Sequence, residues 1–326
     1  LSYHECLGTQ LVLARSDTDD SVQAMGAFCP HMGANLAGGC VKGGHVECPF
    51  HRWQLSTDGR VALVPYSDRV PPKVRQRTWP TRERYGQIFI YYRGDHLAHG
   101  PDVEPPYELP SIPEIDDGRF VHRGTHEPRN IHMHLLEFAE NSVDFQHFAP
   151  LHGQMFVPWT NLTLPYIKVV HRAHWEPDAE HPHLAYFHND AILEIFGREV
   201  ERTKAHATIT FYGPASVVTF RFTIPDAGEI LMFQTHLPVA PLEQQTRFTW
   251  FADKAMPRWL VHYVVGNWIS QWRNDIEIWE NKIHLPKPVL VQGDGPIHRL
   301  RRWYQQFYPA SPESSDVDAG LPPAAE

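Results

Sequence analysis

The residues with the clearest chemical potential are two pairs of cysteine and histidine near the start of the chain. Cys29 and His31 form a C-x-H pair, and after a spacer of sixteen residues Cys48 and His51 form a C-x-x-H pair. Each pair supplies one thiolate and one imidazole, which are ligand types that bind zinc and iron. The four side chains therefore predict a metal site with two sulfur and two nitrogen ligands.

Two kinds of metal site fit this ligand set. One is a tetrahedral Cys₂His₂ zinc site, and the other is a Rieske [2Fe–2S] cluster, in which two Cys hold one iron and two His hold the other. Zinc fingers usually have a Cys pair at one end and a His pair on a helix, whereas here each half is mixed and lies in Gly-rich sequence. Pro30 and Pro49 stand beside ligands and suit stiff loops, so the pattern favours the cluster. Cys6 and Cys40 fall outside it and are predicted to be buried small hydrophobes.

A second set of metal-ligand types lies at the end of a predicted helix in the middle of the chain. Asp144, His147 and His152 give the pattern D-x-x-H-x4-H. Residues three and four apart share one face of a helix, so the side chains of Asp144 and His147 are expected to point the same way. Pro150 is expected to end the helix and to let His152 fold back.

Two imidazoles at this spacing require a third ligand from elsewhere in the chain. The best candidate is Asp275, a carboxylate in an otherwise apolar, Trp-rich helical segment. Glu277 is the nearby alternative, but at roughly 100° per residue it would face away by about 200°. Two histidines and one carboxylate form the facial triad of a non-haem Fe(II) oxygenase, which leaves open positions for O₂. A one-electron cluster together with such an iron is the pairing that reductive activation of O₂ requires.

The elements that must position the first site are predicted to be strands. Short apolar or alternating runs alternate with Gly, Asp-Gly and Pro signals, which is typical of an all-β domain. We place this domain at residues 1–95 and a Pro-rich linker at residues 96–113. The predicted strands are Gln10–Arg15, Val22–Phe28, Trp53–Leu55, Arg60–Val64 and Gln87–Tyr92.

Residues 114–308 are predicted to form an α+β domain with an antiparallel sheet. Helices are expected at about Met133–Phe148 and Arg258–Lys282, and in the second of these apolar residues recur at three- and four-residue steps. The tail at 309–326 is rich in Pro, Ser, Ala and acidic residues and is predicted to be disordered. The predicted strands are Arg119–Glu127, Tyr166–His174, His183–His188, Ala205–Phe211, Ser216–Thr223, Glu229–Pro238 and Gln245–Ala252.

Composition excludes several classes of function. The chain has 326 residues, of which 29 are Lys or Arg and 38 are Asp or Glu, giving a net charge of −9 without a basic run. Nucleic acid is therefore not an expected partner. Four cysteines are too few for a disulfide scaffold in a chain of this length. No apolar run approaches the roughly 18–20 residues that a membrane span needs.

Five segments of the chain resemble the Rieske non-haem iron oxygenases and, within that family, the Neverland-type cholesterol 7-desaturases. The similarity extends from about Gln10 to Tyr308, and the last two segments also resemble the bacterial 3-ketosteroid 9α-hydroxylase oxygenases. The segments are Cys29–Ala37, Val46–Trp53, Glu140-Asn141 before Asp144, Asp275–Lys282 and Arg301–Tyr308. The resemblance implies an all-β Rieske domain followed by a helix-grip (START-like) catalytic domain with an antiparallel sheet.

The resemblance also implies a role for each ligand. Cys29 and Cys48 would bind one iron of the [2Fe–2S] cluster, and His31 and His51 the other. The catalytic mononuclear Fe(II) would be held by His147, His152 and Asp275. Asp144 would be a catalytic bridge that carries electrons from a neighbouring subunit's cluster histidine to His147, within a head-to-tail homotrimer.

The activity implied is that of a terminal oxygenase. It would take electrons from NAD(P)H through a ferredoxin-type or similar reductase, use O₂ as co-substrate, and desaturate a sterol, with cholesterol to 7-dehydrocholesterol as the best match. The alternatives are a steroid ring hydroxylase like the 3-ketosteroid 9α-hydroxylases and a Rieske electron-transfer protein without catalysis. The chain would be membrane-associated as a full-length eukaryotic enzyme with an N-terminal anchor, and cytoplasmic as a bacterial one.

Two features depart from the family pattern. Arg52 stands where the family usually has Gly after the second cluster histidine, which is expected to alter cluster exposure or the face that docks the reductase. Only 28 residues precede Cys29. We therefore expect that one or two front strands, and any membrane anchor that the animal enzymes carry, are missing from this sequence.

An apolar substrate pocket is expected in the second domain. Few basic residues flank the predicted triad in the sequence, which argues against a carboxylate-bearing substrate, because an anion would need Arg. A rigid sterol needs a long pocket lined by apolar and aromatic side chains. The residues available for it are Phe138, Phe145, Phe148, Phe156, Trp159, Phe187, Phe196, Phe211, Phe220, Phe222, Phe233 and Trp268.

Overall fold

A computed structural model describes residues 1–94, 100 and 103–308 of the chain. The predicted disordered tail over 309–326 and part of the predicted linker over 96–113 lie outside the described residues. Every run that was predicted as a strand overlaps a strand of the structure.

The first part of the chain is built from short strands only. A four-stranded sheet has the order β1-β2-β3-β8, a second has the order β4-β5-β6-β7, and β9 pairs with β10. The strands are β1 (Ser2–Cys6), β2 (Thr9–Arg15), β3 (Val22–Gly26), β4 (Cys40–Lys42), β5 (His45–Glu47), β6 (Gln54–Leu55), β7 (Val61–Leu63), β8 (Thr78–Trp79), β9 (Thr81–Arg84) and β10 (Gln87–Ile90).

The second part contains a ten-stranded antiparallel sheet with the order β11-β20-β19-β18-β17-β15-β14-β13, to which β12 and β16 are added by pairing with β20 and β15. The strands are β11 (Phe120–His126), β12 (Ile131–His132), β13 (Gln154–Phe156), β14 (Thr163–Pro177), β15 (Leu184–Ile195), β16 (Arg198–Glu199), β17 (Ala205–Tyr212), β18 (Val217–Ile224), β19 (Gly228–Ala240) and β20 (Glu243–Asp253).

Four α-helices accompany the strands in the described part of the chain: α1 (Pro113–Asp116), α2 (Leu135–Asn141), α3 (Arg258–Trp279) and α4 (Ile297–Gln305). The long helix α3 was predicted, whereas α4 was not. None of the helices in the described ranges combines the length and the apolar character needed to cross a membrane.

The large sheet packs one face against α3. Alternate residues of a strand share a face, so Phe220 and Phe222 of β18 and Phe248 and Trp250 of β20 point the same way. They join one hydrophobic core with the apolar stripe of α3, which includes Val261, Val265, Ile269, Trp272, Ile276 and Trp279. This stripe places Asp275 on the side of α3 that faces the sheet.

Strand β19 is buried on both faces. Ile230 and Met232 belong to the core under α3. Leu231 and Phe233 belong to a separate core on the opposite face, where the ring of Tyr85 from the first part stacks on Phe233 at 5.3 Å. The sheet therefore binds the first part of the chain on one side and α3 on the other.

The prediction that Cys40 is a buried hydrophobe is wrong, whereas Cys6 is buried as predicted. Cys40 begins β4, which is the edge strand of its sheet, and its side chain is exposed. Its thiol lies 3.9 Å from Oε1 of Glu47 on the neighbouring strand β5. Strand β4 is only three residues long, which is too short for an alternation of apolar and polar residues that would predict the exposure of Cys40.

A buried ion pair joins α2 to α4. Both nitrogens Nε and Nη2 of Arg301 donate to the carboxylate of Glu140, and Nη1 donates to the backbone carbonyls of Leu285 and Pro286 at 2.8 and 3.1 Å. Glu140 is buried and Arg301 is largely covered. This pair connects Glu140-Asn141 with Arg301–Tyr308, two of the segments with the family resemblance. It anchors α2 just before the turn that carries His147.

Arg301→Ala is expected to lower the free energy of unfolding by about 3–5 kcal/mol, because it leaves the buried Glu140 carboxylate without its cation. The neighbouring residue Arg302 is exposed on the same helix, so Arg302→Ala is the matched control and should change stability by less than about 0.5 kcal/mol. Urea denaturation of both variants measures the difference. Equal effects of the two substitutions would contradict a structural role for the Glu140–Arg301 pair.

Candidate metal centres

Two closed turns present the first set of ligands. In the loop between β3 and β4, the backbone N–H of Cys29 donates to Ala34 and the N–H of Gly33 donates back to Cys29, with Gly33 at a φ of 72°. In the loop between β5 and β6, the N–H of Cys48 donates to the carbonyl of Trp53 at 2.8 Å. These backbone bonds stabilise the two loops that carry the Cys and His side chains.

The four ligands are arranged as a sulfur pair and a nitrogen pair. Cys29 and Cys48 are both buried, and besides this burial the Cys48 thiol is one of the groups that raise the pKa of Cys29. The rings of His31 and His51 lie with centroids 4.7 Å apart. Trp53 stacks on His31 at 4.3 Å and limits the rotation of that ring.

Several observations show that these residues fit a two-iron cluster. The Nδ1 atoms of His31 and His51 are buried and have no hydrogen-bond partner within the described residues, as expected for atoms that bind a metal. Burial raises the pKa of the Cys29 thiol to about 11, so a bound metal is needed to hold it as thiolate at neutral pH.

The separation of the four side chains into a cysteine pair and a histidine pair also fits a two-iron cluster. In a Rieske cluster, two Cys hold one iron and two His hold the other.

Arg52 occupies a backbone conformation that explains why the family usually has Gly there. Its φ is 61°, in the left-handed region, where a side chain is disfavoured. The guanidinium lies 3.4 Å from the carboxylate of Glu47, and the Arg52 side chain is 59% exposed. Arg52 therefore adds a solvent-exposed cation next to His51.

The cluster histidines lie at an exposed apolar surface. Met32, Phe50 and Tyr66 are 66%, 60% and 62% exposed, and the rings of Phe50 and Tyr66 both contact His51. We call these three residues the cluster rim. The rim leaves the histidine side of the site close to solvent while the cysteine side is buried.

The segment that carries the second set of ligands differs from the predicted helix over Met133–Phe148. Helix α2 ends at Asn141, Phe145–His147 form a 3₁₀ turn, and Phe148–His152 form a π-helical turn. The expectation that Pro150 breaks the helix is wrong, because Pro150 lies inside the π turn. The wider π turn accommodates the residue and carries His152 round toward His147.

Asp144 contacts His147 through its backbone and not through its carboxylate. The Nδ1–H of His147 donates to the backbone carbonyl of Asp144, so Nε2 is the nitrogen that would bind a metal in place of its 3.4 Å contact with Nδ2 of Asn141. Within the described residues, the hydrogen bond of the Asp144 carboxylate is the one it accepts from the backbone N–H of Gln146, at 3.2 Å. The two residues therefore do not share one face of a helix, as was expected, because they lie in a turn.

The three predicted ligands of the second site come together. His147 and His152 have ring centroids 5.0 Å apart, and Nε2 of His152 lies 3.1 Å from Oδ1 of Asp275. That approach does not have hydrogen-bond geometry, so Oδ1 of Asp275 has no donor although Asp275 is only 5% exposed. Glu277, the rival carboxylate, is exposed. Ligand atoms that converge without bonding each other fit a shared metal ion.

The second site is also electrostatically suited to a cation. Burial is the main cause that lowers the pKa of His147, so its imidazole is neutral and keeps a lone pair at neutral pH. Nδ2 of Asn141 lies 3.4 Å from Nε2 of His147, and Trp279 donates from Nε1 to Oδ1 of Asn141 at 3.3 Å. These contacts fix the ring of His147 against α3.

Two supporting residues were not found from the sequence. Asn274 donates from Nδ2 to the carbonyl of Leu151 at 2.8 Å and ties the π turn to α3. His171 of β14 lies against Phe148, accepts a hydrogen bond from Asn189, and has its pKa lowered to about 4, mainly by burial and next by His152. Asn274 could have been predicted as a supporting residue, because it directly precedes the predicted ligand Asp275. No local sequence pattern identifies His171.

A narrow aromatic cavity opens at the triad. Its enclosed volume is small, about 50 Å³. Of the aromatic residues proposed for it from the sequence, six line it. The lining is Phe138, Asn141, Ser142, His147, Phe148, His152, Phe187, Ile209, Phe211, Phe220, Trp268, Trp272, Asp275 and Trp279.

Among the other aromatic residues proposed, two clearly lie elsewhere. Phe196 is 78% exposed, and Phe233 lies on the opposite face of the sheet. Trp272 and Trp279 line the cavity and were not on the list. Phe233 faces away because neighbouring residues of β19 point to opposite faces of the sheet, whereas Phe196 lies in the turn between β15 and β16.

The fold combines a β-rich part that carries the Cys and His pairs with an α+β part in which His147, His152 and Asp275 converge. Two family models match the chain: the Rieske [2Fe-2S] domain at residues 2–78, and the 3-Ketosteroid 9alpha-hydroxylase C-terminal domain at residues 99–308, which is more than half of the chain. The chain belongs to the Rieske oxygenases with this type of C-terminal domain. The Rieske domain implies a [2Fe–2S] cluster.

Individual relatives agree with this assignment. Cholesterol 7-desaturase nvd 1 of Ciona intestinalis is 32% identical over 316 residues, which are 93% of this chain and 64% of the relative. The 3-ketosteroid-9-alpha-monooxygenase oxygenase component of Rhodococcus rhodochrous is 30% identical, over 92% of this chain and 77% of the relative. The structure of Pseudomonas putida CBB5 NdmA with caffeine has a TM-score of 0.68 at 21% identity, covering 93% and 83% of the two chains, and supports the predicted fold class.

Removal of one ligand of the second site should empty that site alone. Asp275→Ala is expected to lose about one of three irons per chain, because two imidazoles do not replace the three-ligand set, while the visible absorption of the cluster remains. Glu277→Ala, an exposed carboxylate two residues away, is the matched control and should keep the iron. Iron analysis together with the visible spectrum measures both, and retention of all iron in Asp275→Ala would refute the assignment.

Proposed function

We propose that this chain is a terminal oxygenase component that desaturates a sterol, with cholesterol converted to 7-dehydrocholesterol. The observation that carries the proposal is the convergence of His147, His152 and Asp275 at an aromatic cavity whose lining contains no Lys or Arg. The resemblance to a cholesterol 7-desaturase over 93% of the chain supports the substrate class. We further propose the division into residues 1–95, a linker at 96–113 and a catalytic domain at 114–308.

The residues have separate roles in this proposal. Cys29, His31, Cys48 and His51 hold the cluster, and His147, His152 and Asp275 hold a mononuclear iron. When bound, the cluster supplies single electrons and the ferrous ion binds and reduces O₂. Desaturation removes one hydrogen each from C7 and C8, and with two electrons and two protons from the reductase side one O₂ leaves as two waters.

The chain's own groups orient the reactants. The backbone carbonyl of Asp144 holds the Nδ1–H of His147 and so fixes which nitrogen faces the metal. Phe148, Phe187, Phe220 and other aromatic side chains of the lining exclude water and present an apolar wall to the rings of the substrate.

Electrons are proposed to enter through the exposed cluster rim. NAD(P)H is oxidised by a separate reductase, of ferredoxin type or similar, that docks there. In a head-to-tail trimer, Asp144 of a neighbouring copy would cover one part of the histidine side of the cluster, and the reductase would dock on the part of the rim left exposed. The partly exposed Asp144 carboxylate supports this, because only the backbone N–H of Gln146 within the described residues donates to it.

A hydroxylase is the second candidate. The C-terminal match to the 3-ketosteroid 9alpha-hydroxylase domain over residues 99–308 favours it, since that match covers the whole of the second site. A Rieske electron-transfer protein without catalysis is disfavoured by the convergence of the three ligands of the second site.

Asp144→Asn is expected to keep both metals, because the backbone carbonyl still holds His147, and to slow turnover by about 10- to 100-fold by removing the charge of the bridge. Metal content, cluster spectrum and turnover are measured on the same preparation. Mixing Asp144→Ala chains with His31→Ala chains should restore part of the activity. The intact cluster of an Asp144→Ala chain then faces the intact Asp144 of a His31→Ala chain. Full activity of Asp144→Asn, or no recovery on mixing, would contradict transfer between subunits.

Product analysis tests the substrate. The purified protein with a surrogate reductase is incubated under O₂ with cholesterol, a 3-ketosteroid and an aromatic acid, and we expect 7-dehydrocholesterol from cholesterol. A hydroxylated ketosteroid as the sole product would favour the second candidate. Turnover of the aromatic acid alone would end the sterol proposal, because the cavity lining offers no cation for a carboxylate.

A further inference from the structure

Most polar groups of the cavity wall already have partners. Oγ of Ser142 donates to the carbonyl of Ala139 at 2.7 Å. Oδ1 of Asn141 accepts from Nε1 of Trp279, whereas Nδ2 of Asn141 contacts Nε2 of His147 and loses that acceptor when the nitrogen binds a metal. The exceptions outside the triad are the indole N–H groups of Trp268 and Trp272, which are buried without an acceptor among the described residues.

Unsatisfied donors in a binding cavity select the chemistry of the ligand. A buried N–H without an acceptor is unfavourable, and a ligand oxygen that accepts its hydrogen bond relieves this cost. Both free groups are donors that cannot accept, and no Lys or Arg lines the cavity. The cavity therefore fits a neutral, apolar ligand that carries an acceptor oxygen.

The two indoles lie at different distances from the metal end. Trp272 is three residues before Asp275 and is packed edge-on against Phe248 and Trp279. Trp268 is seven residues before Asp275, about 10.5 Å along the helix at 1.5 Å per residue, and packs against Phe220. Along the axis of α3, Trp268 therefore lies about one turn farther from Asp275 than Trp272 does.

We propose that the indole N–H of Trp268 donates a hydrogen bond to an oxygen of the substrate and thereby sets which ring carbon reaches the triad. The proposal rests on the proposed function, and for a sterol the acceptor is the 3-oxygen of ring A. Trp268 precedes Asp275 by about two turns of α3, so a ligand oxygen bound at Trp268 would place the rest of the ligand toward the triad. Trp268 is then a specificity-determining residue.

The test compares two ligands and three proteins. Binding of cholesterol and of its 3-deoxy analogue is measured by equilibrium titration on the iron-loaded wild type, Trp268→Phe and Trp175→Phe. Phe keeps an aromatic ring in the cavity and removes the donor. Trp175 is the matched control, because its indole N–H is also buried without a partner but the residue does not line the cavity.

The wild type should bind cholesterol about three- to tenfold more tightly than the 3-deoxy analogue, the usual effect of one hydrogen bond. Trp268→Phe should weaken cholesterol binding by that factor, leave the analogue unchanged, and broaden the position of desaturation. Trp175→Phe should keep the wild-type ratio. The cluster spectrum and iron content report whether each variant is folded.

Three results would overturn the inference. Equal binding of both sterols by the wild type would exclude recognition of the 3-oxygen, independently of any variant. An equal loss for both sterols in Trp268→Phe would show that the ring acts by filling space. Absence of sterol binding by the wild type would overturn the proposed function together with this inference, which distinguishes it from the first two results.

Discussion

The domain built from the ten-stranded sheet and α3 depends on one buried carboxylate, Asp275, whose Oδ1 has no hydrogen-bond donor among the described residues. Asp275 lies on the apolar stripe of α3, is 5% exposed, and faces two imidazoles. An ionised carboxylate in an apolar interior costs several kcal/mol unless a cation compensates it. A metal ion shared with His147 and His152 would supply that compensation, so metal binding would also stabilise the packing of α3 against the sheet.

The surrounding contacts keep the three ligands converged. Asn274 holds the π turn to α3, and the carbonyl of Asp144 fixes the ring of His147. The buried Glu140–Arg301 pair anchors the preceding helix to α4. Because these contacts join segments far apart in the chain, the ligand geometry is a property of the whole domain.

The two metal sites differ in their access to solvent. The nitrogen side of the first site lies beside the exposed cluster rim, while His152 and Asp275 of the second are buried beneath aromatic rings. Exposure at the first site suits exchange of electrons with a partner protein. Burial at the second suits an apolar substrate and the exclusion of water. Strand β19, packed on both faces, connects the two parts that carry these sites.

The sequence by itself determined the ligand types and most elements. Cys29, His31, Cys48 and His51 are identified by local spacing, and the period of α3 separates Asp275 from Glu277. Only the tertiary structure showed that Pro150 lies within a π turn and that Asp144 contacts His147 through its backbone carbonyl. The same holds for the exposure of Cys40 and for the ion pair that joins α4 to α2. The spacing of ligands and the period of apolar residues are local properties that can be recognised in the sequence. The other features depend on contacts that form only when the sheet and α3 bring distant segments together.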